Sequence, residues 1–85
     1  MFEISRTLAG TVRMEVREMR KELVKTALRG LKVRVKPAGD PSKPVYWVYP
    51  VSPPKNALEW ALALAELREA RRRLMRHLGI SDTEA

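Results

Sequence analysis

Cysteine is absent from the chain, which removes both a disulfide framework and any thiolate metal site. Histidine occurs once, at His77, after the run Arg71-Arg72-Arg73. A metal held by His77 and Asp82 would have two protein ligands and lack a third. The four glycines stand singly, so no glycine-rich phosphate loop is present. The glutamates are spread along the chain with no second titrating group gathered beside them, and no nucleophile motif occurs. These absences predict a protein with no cofactor, no metal and no catalytic role.

Long apolar runs are missing too. The longest aliphatic stretch, Ala61-Leu62-Ala63-Leu64-Ala65, is far too short to cross a bilayer. Met1-Phe2-Glu3-Ile4-Ser5 has neither the early charge nor the apolar stretch of a signal peptide. The expectation is a cytoplasmic protein, nucleoid-associated if its partner is DNA, with no membrane association. Glutamine is absent and Asn56 is the only asparagine, while 32% of residues are charged and six are proline. That composition predicts a thermophilic source.

What the chain has in excess is positive charge. Seventeen Lys and Arg against ten Asp and Glu leave a formal charge of +7 on 85 residues, with an isoelectric point near 10.4. Such an imbalance on one small domain favours a polyanionic partner.

The charges are also ordered along the chain. Leu31-Lys32-Val33-Arg34-Val35-Lys36 alternates apolar with cationic, the period of a strand with one buried and one wet face. Val45-Tyr46-Trp47-Val48-Tyr49 follows after a loop containing Pro37, Pro41, Pro44 and Gly39. Two strands, 31–36 and 45–50, are therefore predicted to form an antiparallel hairpin. Its register decides what the aromatics do. Pairing Lys36 with Val45 sets Arg34 opposite Trp47 and Lys32 opposite Tyr49 on one side, with Val33, Val35, Tyr46 and Val48 inward. A slip of one residue sends Trp47 and Tyr49 into the core and leaves Tyr46 on the basic face.

Two helices are predicted around the hairpin. From about 7 to 29, Leu8, Val12, Val16, Met19, Leu23 and Ala27 recur at spacings of three and four. On a helical wheel Arg6, Arg13, Arg17, Arg20 and Lys21 share one flank and Glu15, Glu18 and Glu22 the other. Gly10 weakens the start, leaving Phe2 and Ile4 as an extended lead-in, and Gly30 is the stop. The second helix spans about 54–78. Ser52 before Pro53 and Pro54 is one start signal, and Asn56 with Glu59 is a competing capping box. Its apolar stripe is Trp60, Leu64, Leu67, Leu74 and Leu78, with Ala63 and Ala70 alongside. The tail, 80–85, is polar and short.

A second apolar patch, Leu58, Ala61, Leu62 and Ala65, lies on the other side of this helix and gives way to Arg68, Arg72 and Arg76. A helix apolar on two sides needs covering on two sides, so a homodimer or higher oligomer through this patch is expected. The fold class is thus a small α+β domain over 1–85, helix–hairpin–helix, oligomeric through its C-terminal helix. The chain lacks the spacing of a helix-turn-helix, the glycine-aromatic signature of an RNA-recognition fold and the five strands of an OB-fold.

The functional expectation is nucleic-acid binding, with single strands favoured over duplexes. Lys32, Arg34 and Lys36 would take phosphates, Trp47 with Tyr49 or Tyr46 would stack on bases, and Arg68, Arg72 and Arg76 would extend the track. The alternative is a protein–protein adaptor or small regulatory subunit docking through the apolar side of the second helix.

Overall fold

A computed structural model of the chain describes residues 2–7, 11–40 and 42–79. Four strands and two helices follow in the order β1 (Phe2–Arg6), β2 (Val12–Arg17), α1 (Lys21–Ala27), β3 (Val33–Ala38), β4 (Val45–Pro50) and α2 (Ala57–His77). The strands form one antiparallel sheet in the order β1-β2-β4-β3. Chain connectivity thus places β4 between β2 and β3, a split β-α-β arrangement in which β2 and β3 run parallel without touching.

The long first helix is not formed, which corrects the expected helix–hairpin–helix architecture. Residues Val12-Arg13-Met14-Glu15-Val16-Arg17 are a strand, with Val12, Met14 and Val16 buried and the residues between them facing out. The spacing Val12, Val16, Met19, Leu23, Ala27 satisfies a helix, but Val12, Met14, Val16 satisfies a strand equally well. The strand prevails because it pairs on both sides, with β1 and with β4. Phe2 and Ile4, read as an extended lead-in, belong to β1. The proposed arginine flank dissolves: Arg13, Glu15 and Arg17 share one sheet face, and Arg6 lies on the other. Leu8, Ala9 and Gly10 lie outside the described residues, as does the tail 80–85. What remains of the helix is α1, with Val24 and Ala27 buried, ended at Gly30 with φ +89°.

The hairpin of β3 and β4 forms as an antiparallel pair, with β3 two residues later than expected at each end. Between them Asp40 accepts hydrogen bonds from the backbone N–H of Ser42 (2.9 Å) and Lys43 (3.0 Å). The Ser42 hydroxyl and these two N–H groups hold the Asp40 carboxyl below the usual carboxylate range. Gly39 enters this loop at φ +77°, and a Cβ added there would stand 3.0 Å from the Lys43 carbonyl oxygen. Gly39→Ala is expected to destabilise the fold by about 1–2 kcal/mol from the left-handed backbone alone, read as a lowered midpoint in a thermal melt. Gly30→Ala, with nothing within 4 Å of its added Cβ, isolates the backbone term from the steric one.

Helix α2 begins at Ala57, not at Pro54. Asn56 is the cap, its side-chain oxygen accepting from Glu59 N at 2.9 Å, while Glu59 accepts from Lys55 N at 3.0 Å. The capping pair wins over the serine–proline start because its side chain satisfies an orphan N–H of the first turn. Both helices pack on the same face of the sheet. Ala63, Leu67, Ala70 and Leu74 from α2 and Val24, Ala27 and Leu28 from the α1 region meet Val12, Met14, Val16 and Val48 from the central strands. Leu23, Val33, Val35 and Leu64 flank this core half-buried. Leu78, assigned to the stripe, is exposed, and Met75 is buried in its place. No described helix is long and apolar enough to cross a membrane.

Candidate nucleic-acid interface

Both helices cover one face of the sheet, and among the described residues none covers the other, open face. Its content follows from strand alternation: every residue whose neighbours are buried points outward. On β4 the buried residue is Val48, so Trp47 and Tyr49 face out. Across from them on β3 stand Lys36, paired with Trp47, and Arg34, paired with Tyr49. On the opposite side β2 contributes Glu15, paired with Trp47, and Arg17, paired with Val45.

The register is therefore offset by two residues from the pairing of Lys36 with Val45. An offset of two preserves which side each residue faces. The inward set Val33, Val35, Tyr46 and Val48 and the outward set Arg34, Lys36, Trp47 and Tyr49 are those of the first expected register. The alternative, with Trp47 and Tyr49 in the core, does not occur. Tyr46 is excluded from the open face: it is half-buried on the helical side, packed against the core, and lines a groove with Met19, Arg20 and Pro44.

Trp47 is the centre of the open face. The Arg13 guanidinium carbon lies 3.6 Å from the centroid of its ring, a stacked cation–π contact. Packing against the ring buries Arg13 Nε, which has no hydrogen-bond partner there. Glu15 and Arg17 form an ion pair beside this stack, and the Glu15 carboxylate raises the Arg17 pKa chiefly through their hydrogen bond. Arg13 and Arg17 are thus members of the interface that the sequence reading placed on a helix flank. The signal that would have found them is the alternation Val12 to Arg17, of the same period as Leu31 to Lys36.

Four other expected members are elsewhere. Lys32 precedes β3, where its backbone N–H donates to Glu66 Oε2 at 3.2 Å and its carbonyl accepts from Val51 N at 3.4 Å. It lines a groove of about 460 Å³ between the end of β4 and α2, together with Val51, Pro54, Leu62 and Ala65. Arg68, Arg72 and Arg76 are exposed on α2, turned away from the buried stripe Ala63, Leu67, Ala70, Leu74. Since α2 lies on the helical side of the sheet, these arginines are separated from Trp47 by the thickness of the domain. One continuous track from Lys36 to Arg76 is not formed. Glu69 meanwhile engages Arg72 at 2.9 Å and Arg73 at 3.4 Å, and Arg73 reaches the Arg29 carbonyl at 2.9 Å, tying α2 to the end of α1.

Among the described residues nothing covers the apolar patch of α2. Leu58 is 70% and Leu62 58% exposed, and Ala61 and Ala65 are exposed beside them. Trp60, on the inner side of the same turn, is half-buried with the Arg6 guanidinium 5.0 Å from its ring centroid. Among the described residues no three of His, Cys, Asp and Glu converge on a point that could hold a metal ion.

What the open face offers chemically is a two-ring surface bordered by Arg13, Arg17, Arg34 and Lys36, with Glu15 and its β1 pair Glu3 as acids on the same side. Neither a family model, nor a curated protein, nor a solved structure matches this chain.

Proposed function

We propose that the open face of the sheet binds nucleic acid without catalysis, and prefers single strands. The observation that carries this reading is the juxtaposition of Trp47 and Tyr49 with Arg34 and Lys36 on a face no helix covers. Rings on a flat surface stack on bases once these are unpaired, and cations at the rim neutralise the phosphates between them. A duplex keeps its bases stacked on each other, so the same face would meet it with charge alone. Arg13 adds a second stacking plane, since a guanidinium lying flat on an indole presents its own outer face to a base. The biological setting consistent with such a partner is the cytoplasm or, for DNA, the nucleoid.

Tryptophan fluorescence during titration with single-stranded and duplex oligonucleotides, at low and high salt, tests the proposal. Quenching by single strands that weakens with salt is expected. If Arg34 and Lys36 each hold a phosphate, replacing both with alanine lowers the salt slope by about 1.4, from a coefficient near 0.7 per contact on single strands. Absence of binding to either form at low salt would remove the proposal.

A second reading has its own observation, the exposure of Leu58 and Leu62 beside the groove at Lys32. In that reading α2 docks a protein partner. Binding that persists at high salt and is lost in Leu62→Glu distinguishes it, because apolar contacts are not screened.

A further inference from the structure

The sheet has two edges, and they are built differently. Hydrogen-bond parity identifies which backbone groups point outward from each. Thr7 N donates to Thr11 O at 2.8 Å, continuing the β1–β2 register as a hydrogen-bonded position. Counting back along the ladder, Ser5 and Glu3 also bond to β2, so the N–H and C=O groups of Phe2, Ile4 and Arg6 point away from the sheet. On the other side Val51 N donates to Lys32 O, and the same parity turns Val33, Val35 and Pro37 outward on β3. Proline has no N–H and its ring occupies the ladder position, so the β3 edge is closed to a further strand. Lys36 stands immediately before that proline. The β1 edge has no proline.

Beyond its open backbone, β1 has an apolar side that the described elements cover only in part. Phe2 and Ile4 face the helical side, yet α2 packs over β2 and β4, and both residues remain half-buried at the margin of the core. We infer that β1 pairs antiparallel with β1 of a second copy about a two-fold axis at Ile4, giving one continuous eight-stranded sheet. The register is self-complementary. Ile4 opposes Ile4 of the partner subunit, so Phe2 opposes the partner's Arg6, and each of Phe2, Ile4 and Arg6 donates to and accepts from the opposite strand. On the helical side the two Ile4 side chains cover each other and each Phe2 ring meets a guanidinium. On the open side Glu3 opposes the partner's Ser5, so no like charges are directly opposed, and the two Glu3 carboxylates are diagonal neighbours.

The apolar patch of α2 fits a second copy less well. An antiparallel pairing centred on Leu58, Ala61, Leu62 and Ala65 brings Arg68 of each copy beside the partner's Lys55. A parallel pairing sets Arg76 against its own counterpart. Either arrangement adds cation to cation on a chain already at +7. Pairing through β1 leaves α2 out of the interface and joins the two open faces into one surface carrying Trp47 twice.

The absence of cysteine makes the test direct. Ile4→Cys is expected to form a covalent dimer on oxidation or with a short bis-maleimide, because opposed residues of a hydrogen-bonded pair have Cα atoms about 5.5 Å apart, within disulfide range. Leu62→Cys, under the same conditions, should not. By sedimentation the wild-type chain should have the mass of a dimer, and Ile4→Pro, which loses an outward N–H without breaking the β1–β2 ladder, half that mass with unchanged circular dichroism. Cross-linking through Leu62→Cys but not Ile4→Cys, or a wild-type chain that sediments as a monomer at high micromolar concentration, would overturn the inference. Neither result bears on whether one copy binds nucleic acid.

Discussion

Trp47→Ala is expected to weaken binding of single-stranded oligonucleotides about fivefold to 150-fold, since one base stacked on an aromatic ring contributes about 1–3 kcal/mol. The ring is placed for that role by two constraints. Val48 is fully buried, so strand alternation turns its neighbour Trp47 outward, and Lys36 and Glu15 hold it between them on the adjacent strands. The substitution should leave the fold in place. It removes one exposed-face stack with Arg13, worth about 0.5–1 kcal/mol, and a half-buried ring, with no hole in the core. Trp47→Phe keeps a π-face and should recover part of the affinity, while Trp60→Ala, on the helical side, should leave the binding-induced quench intact. The readout is a fluorescence or anisotropy titration, accompanied by circular dichroism to establish folding. A folded Trp47→Ala with wild-type affinity would show that rings take no part, and any binding would then be phosphate contact alone.

Met14→Lys is expected to unfold the chain, whereas Glu15→Lys, one residue away, is expected to leave it folded. Met14 is 0% exposed and sits opposite Ile4 on one side and Val48 on the other, at the centre of the sheet beneath the helices. An unpaired ammonium buried there costs several kcal/mol, against a total stability of about 5–15 kcal/mol for a domain of ordinary stability. Glu15 points to the open face, where a lysine stays in water and joins other cations; the Arg17 pairing is lost, an exposed interaction of about 0–1 kcal/mol. Thermal melts of the two variants read the difference. The pair also separates two secondary structures. In a helix over 7–29 Met14 would lie off the stripe of Val12, Val16 and Met19, and a lysine there would be tolerated. A stable, cooperatively folding Met14→Lys would therefore contradict the strand.

The contrast between these two positions shows where sequence patterns reach and where they stop. Leu31 to Lys36 alternates, and Gly39, Pro41 and Pro44 after it mark a turn, so the hairpin was legible, although Pro37, read as loop, lies within β3 at the sheet edge, where a missing N–H is tolerated. Val12 to Arg17 carries the same alternation, but its valines also fit a helical repeat that continues through Met19, Leu23 and Ala27. Locally the two readings are equivalent. The choice is made by pairing partners 28 to 34 residues away on β4, which no short window along the chain contains. The misplacement of Arg13 and Arg17 followed from it: read as a helix, they formed a flank with Arg20 and Lys21, and they are in fact neighbours of Trp47.

The same distinction governs the cations of α2. Their spacing correctly put Arg68, Arg72 and Arg76 on one side of a helix and the apolar stripe on another. Which side of the sheet that helix covers is not a property of the helix. Once α2 lies over β2 and β4, the arginines are carried to the far side of the domain from the aromatics, and two basic surfaces replace one.

The sequence by itself determined the α2 helix, the β3–β4 hairpin and the stop at Gly30. Those features depend on periods of two or three to four residues and on the backbone preferences of single residues, all local. Only the tertiary structure decided that Phe2–Arg6 and Val12–Arg17 are strands, that Trp47 and Tyr49 face out beside Arg34 and Lys36, that Trp47 stacks with Arg13, and that Tyr46, Lys32 and the α2 arginines stand apart from it. Those outcomes depend on which strands lie side by side and which sheet face the helices bury, and that is settled by packing between segments far apart in the chain.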